Sequence, residues 1–170
     1  MQLSRRAIAV LCLTLCSSTT AIGGEIVTTV ATFGDWSLLT DAKTPHLFCF
    51  VTSEPKVSEP KSASRESPRA YISAWPKDGI KGEVSFRMGF RINKGTEGTA
   101  TVSPGGYKLF GSNDRAYVAN STQELKLLEA MRKGNALTVA IDSDHGTSVT
   151  DTYSLNGVGQ ALQKLQEMCF

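Results

Sequence analysis

Between residues 83 and 92 the chain alternates without a fault. Val84, Phe86, Met88, Phe90 and Ile92 fall on one side; Glu83, Ser85, Arg87, Gly89 and Arg91 fall on the other. Five matches in a row to a period of two define a half-buried antiparallel strand with one apolar and one wet face. Such a strand needs a second layer over its apolar side. Further short runs rich in aromatic and β-branched residues supply it: 33–39, 47–52, 70–75, 99–103, 107–110, 115–119, 137–141 and 149–155. The 70–75 run is apolar on both alternating faces, as a central strand would be. Turns are expected at 76–82, at 93–98, at Pro104-Gly105-Gly106 and at the SDHG sequence 143–146. Residues 53–68 hold three prolines and alternating charge, and read as an exposed loop.

Two segments carry the other period. Ser121 and Glu124 have the spacing of a capping box, followed by Leu125, Leu127, Leu128 and Met131 and closed by Gly134. Val158, Ala161, Leu162, Leu165 and Cys169 stand at i, i+3, i+4, i+7 and i+11, one face of a final helix. The chain is therefore mainly β, with two short helices, one of them C-terminal.

The start of the chain reads as an address. Arg5 and Arg6 precede an apolar stretch over 7–16, and small residues follow, which is the layout of a secretory signal peptide spanning 1–23. Ala21 and Gly23 suit a cut before Gly24, and a cut after Ala21 also fits. The apolar stretch is too short for a hydrocarbon layer of ~30 Å, and no later segment is apolar enough to span one. Cys12 and Cys16 each follow a leucine, a poor context for lipidation. Residues 24–170 then form a single domain, exported to the periplasm or secreted.

Export leaves Cys49 and Cys169 as the cysteines of the mature chain, in a compartment where such a pair joins. Each lies on an apolar face by its own periodicity, so a Cys49–Cys169 disulfide is expected. Zinc is the competing reading, but His46 and His145 stand alone and no CxxC accompanies them. The full chain has 18 Lys and Arg against 16 Asp and Glu. Arg5 and Arg6 account for that excess, so residues 24–170 balance at zero. Nothing in that charge favours nucleic acid or an anionic membrane as partner.

Several stretches, in order, resemble the bacterial invasion-associated locus B family: FGDW at 33–36, CF at 49–50, ISAWPKDG at 72–79 with EVS at 83–85, AMRKG at 130–134, and DTYSLNG at 151–157 with a closing cysteine. The resemblance implies an exported protein with an immunoglobulin-like antiparallel β-sandwich core. It also implies a link to bacterial entry into host cells.

Motifs that carry chemistry are missing. There is no GxSxG elbow, HExxH, Walker loop or GxGxxG. Gly157 and Gly159 suit a helix start with close backbone approach better than a phosphate loop. Asp142 and Asp144 read as turn residues, since no glutamate follows at calcium-loop spacing. No catalytic residue, cofactor site or metal site is assigned. Two sets of side chains stay open. Phe33, Trp36 and Trp75 fit either the core, the commoner fate, or a ligand platform. Arg87 and Arg91, with Lys77, Lys81 and Lys94 nearby, fit either a solvated face or an anion-binding surface. The reading is a non-enzymatic binding protein of the envelope, whose partner is a protein, an envelope component or a host-cell surface. A hydrolase with an unrecognised site around His145 and a structural envelope protein are the alternatives.

Overall fold

The computed structural model describes residues 27–61 and 65–170; the expected signal peptide, 1–23, lies outside them. Ten strands form one antiparallel sheet: β1 Val27–Phe33, β2 Trp36–Asp41, β3 Cys49–Ser53, β4 Val57–Glu59, β5 Arg69–Trp75, β6 Ile80–Ile92, β7 Glu97–Val102, β8 Gly105–Val118, β9 Ala136–Asp142 and β10 Ser148–Ser154. Helix α1, Ser121–Lys133, joins β8 to β9, and α2, Val158–Cys169, follows β10. The order across the sheet is β1-β2-β3-β5-β6-β8-β7-β9-β10-β4.

The sheet folds over on itself. The Phe86 ring of β6 lies 6.2 Å from that of Tyr153 on β10, and the Trp36 indole N–H of β2 donates to the Ser154 carbonyl at 3.0 Å. The turn is made within the long strand β8, whose first half pairs with β7 and whose second half pairs with β6. The result is the expected mainly β sandwich with two helices, built from a single continuous sheet. Val84, Phe86, Met88 and Ile92 are buried as the alternation requires, while Phe90 is half-buried against the same core. All five apolar positions of α2, from Val158 to Cys169, are buried too.

Several local expectations are corrected. Residues 33–39 are not one strand but the corner of a hairpin, with Gly34 and Asp35 between β1 and β2. Gly34 has φ +55°, and a Cβ there would meet the Asn156 carbonyl at 2.6 Å, so the turn needs glycine. The β7–β8 turn is Ser103-Pro104, one residue earlier than expected, because Gly105 already pairs with Val102. The separate strands expected at 107–110 and 115–119 are both part of β8. The 53–68 loop contains β4, which pairs with β10 as an edge strand. A short polar strand can complete a ladder while burying almost nothing, and so escapes a search for hydrophobic alternation.

The capping box is also absent. Asn120, not Ser121, caps α1, and its side chain accepts the Gln123 N–H at 3.0 Å. Glu124 instead accepts the Val84 N–H of β6 at 2.7 Å, which ties the helix to the sheet. Leu125 of the expected apolar stripe is 66% exposed, leaving Leu127, Leu128 and Met131 to face inward.

Burial pushes the Glu124 carboxyl above its ordinary value; the Val84 amide opposes this and nearby Glu83 adds to it. The folded chain therefore holds this proton more tightly than the unfolded one. The group's contribution to stability is present at acid pH and is lost as pH rises through the raised value. Glu124→Gln keeps an acceptor for Val84 and removes the charge. Its urea midpoint should match that of the unsubstituted chain near about pH 4 and exceed it near about pH 7. Equal midpoints at both would show that no buried charge is being penalised.

Candidate functional site

The same alternation that sends Cys49, Val51, Ile72, Ala74, Val84 and Phe86 into the core turns their neighbours to the outer face. The strand register then sets those neighbours in rows. Phe50, Ser73 and Glu83 share one row; Thr52, Tyr71, Ser85 and Tyr117 share the next; Arg69, Arg87 and Arg115 share a third. The outer face of β3, β5, β6 and β8 thus gathers aromatic rings that lie far apart in the sequence.

The rings touch. Phe48 stacks on Trp75 with centroids 4.1 Å apart and lies 5.2 Å from Phe50, whose ring is 5.8 Å from Tyr71. The Arg115 guanidinium lies over Tyr71, 4.9 Å from the ring centre, and approaches the Ser85 hydroxyl at 3.4 Å. Tyr117 stacks on Phe110 at 5.7 Å. Between them runs an open groove of about 380 Å³, lined by Phe48, Phe50, Tyr71, Trp75 and Tyr117 with Val27, two serines, Glu83 and Arg115. Its size suits a small ligand or part of a larger one. A second cleft shares Val27, Phe48 and Trp75 and continues the groove toward Leu47 and Lys77.

A larger cleft of about 610 Å³ lies between α1, α2 and the start of β6. Two of its polar groups are already engaged, since Glu124 accepts from Val84 and the Gln166 side-chain amide donates to the Lys81 carbonyl at 2.8 Å, and its arginine, Arg132, is exposed. The outer-face groove is the better candidate because its arginine, Arg115, is half-buried against an aromatic ring and retains unused donors.

Of the three aromatic residues singled out in the sequence, Trp75 lines the groove, Trp36 is fully buried, and Phe33 packs half-buried against the core. Arg87 lies 3.3 Å from Asp114 and 3.4 Å from Glu66, while Arg91 is exposed. His145 is exposed in the β9–β10 turn, 3.6 Å from Asp144. His46 lies 3.3 Å from the Met168 carbonyl. Cys49 and Cys169 stand at disulfide distance, with Cα atoms 6.4 Å apart, and join β3 to the end of α2. Gly157, at φ +89°, packs against the Phe33 carbonyl, the close backbone approach expected at that helix start.

Residues Phe48, Phe50, Tyr71, Arg115 and Tyr117 were not singled out from the sequence. Their signal was the inverse of the core pattern: once Cys49 and Ile72 face inward, the aromatic residues beside them must face out.

No protein-family model matches the chain, and no curated protein is significantly similar to it. Among solved structures, the chain is similar in fold to invasion associated protein B from Bartonella henselae, with a TM-score of 0.55. The two are 18% identical, and the match covers 79% of this chain and 94% of the other. At that identity the likeness is one of fold. No helix among the described residues is long and apolar enough to cross a membrane.

Proposed function

We propose that this chain is an exported, non-enzymatic binding module of the bacterial envelope, working in the periplasm or after secretion through the outer-face groove. The observation that carries the reading is the half-buried Arg115 guanidinium set among stacked rings. Trp, Tyr and Arg are the residue types that dominate binding hot spots. The groove's described lining contains serines but neither histidine nor cysteine, and Ser85 faces Arg115 rather than a base. That chemistry suits holding a partner more than cleaving one. The fold likeness to an invasion associated protein supports a role at the cell envelope, with a protein, an envelope component or a host-cell surface as partner.

The test uses the purified chain as bait in an envelope extract, beside a Tyr71→Ala/Tyr117→Ala variant shown to fold by circular dichroism. The unsubstituted chain should retain a partner of unchanged mass that the variant does not. Retention by both would move the binding surface elsewhere. Release of a cleaved product would make the chain a hydrolase.

A further inference from the structure

We infer that the groove takes an extended polypeptide segment carrying one carboxylate beside an apolar side chain, an inference that rests on the binding-module reading above. Arg115 supplies the first argument. Arg69 and Arg87, in the same row, each meet a carboxylate, Glu54 and the pair Glu66 and Asp114, and the buried Arg65 elsewhere meets Asp151. Arg115 has none within 4.0 Å among the described residues, although it is half-buried. Arg91 and Arg132 also lack one, but both are exposed to water. A guanidinium carries five donors in a fork that matches a carboxylate, and a ring face with one distant serine leaves most of them free.

The rings supply the second. Phe48 stands against both Trp75 and Phe50, Arg115 covers a face of Tyr71, and Tyr117 stacks on Phe110. Phe48, Phe50, Tyr71, Trp75 and Tyr117 all line the groove, so an apolar aromatic wall stands beside the guanidinium. Aromatic wall and guanidinium together favour an anion attached to an apolar body.

Glu83 supplies direction. It lies two residues from Ser85, about 7 Å along the strand. A second acid there would meet a like charge, whereas a peptide N–H would find an acceptor. The ligand therefore carries its acid at one end only. The continuation of the groove past Trp75 toward Leu47 gives room for several extended residues.

A phage-displayed library of random seven-residue peptides, beside an array of neutral and carboxylated oligosaccharides, tests this against the unsubstituted chain, Arg115→Gln and Arg115→Lys. The unsubstituted chain should select peptides with Asp or Glu at one position next to an apolar residue. Exchanging that acid for its amide in a selected peptide should weaken binding about tenfold or more. Arg115→Gln should lose binding to the same extent, and Arg115→Lys should fall between. The amide comparison uses the unsubstituted chain, so it stands even where Arg115→Gln unfolds. Peptides selected without an acid, an unchanged motif on Arg115→Gln, or binding to oligosaccharides alone would overturn the inference. A chain that retains its partner through the groove yet selects no acidic peptide loses the ligand class and keeps the binding reading. Loss of groove-dependent retention as well removes both.

Discussion

Replacing Arg65 with methionine should destabilise the fold by about 3–5 kcal/mol, because it strands a buried carboxylate. The Arg65 and Asp151 side chains are 5% and 0% exposed. Arg65 donates to both Asp151 oxygens, one at 2.9 Å, and to the Met88 carbonyl at 3.2 Å. The Ser58 hydroxyl donates to Asp151 at 2.7 Å. These bonds pin the proline-rich segment across β6 and β10. With Arg65 gone, Asp151 retains one neutral donor in a site closed to water. An apolar replacement of both partners restores a consistent interior, so Arg65→Met/Asp151→Leu should recover most of the loss. Urea unfolding of the two variants measures this. A single substitution costing under about 1 kcal/mol would mean that the pair is solvated, since exposed pairs contribute at that level.

The second large effect belongs to Cys49 and Cys169. They are 120 residues apart in the chain, and a disulfide between them would constrain nearly the whole described fold. The chain-entropy model values such a loop at roughly 5 kcal/mol, and removal of a native disulfide typically costs about 2–5 kcal/mol. Cys49→Ala/Cys169→Ala should therefore lower stability by that amount. Amide exchange should rise first in the last turn of α2, which Cys169 ties to β3. Non-reducing peptide mapping of protein taken from the envelope should recover one linked pair containing both residues. Two free thiols would remove the disulfide from the account.

How far the sequence revealed this architecture depended on period. The five inward positions of α2 and the inward face of β6 were legible because strict spacing leaves one register possible. β4 was not, because an edge strand of two exposed residues and one half-buried one shows no buried pattern. Asn120 displaced Ser121 as cap because either residue can serve, and the choice falls to tertiary packing. Here Glu124 is drawn away to Val84 on β6. The Arg65–Asp151 pair was hidden for a related reason: a charge in a polar segment looks solvated until its partner, 86 residues away, is placed beside it. The groove was half legible. Trp75 was recognised as a possible platform residue, but its neighbours Phe48, Tyr71 and Tyr117 come together only through the register of four strands.

Photocrosslinking in the native envelope distinguishes the outer-face groove from the helical cleft as the working surface. Benzoylphenylalanine is placed in turn at Tyr117, in the groove, and at Leu125, beside the α1–α2 cleft. Position 117 should give a discrete adduct and position 125 none. An adduct from 125 alone would contradict this and move the site to the helical side of the sandwich.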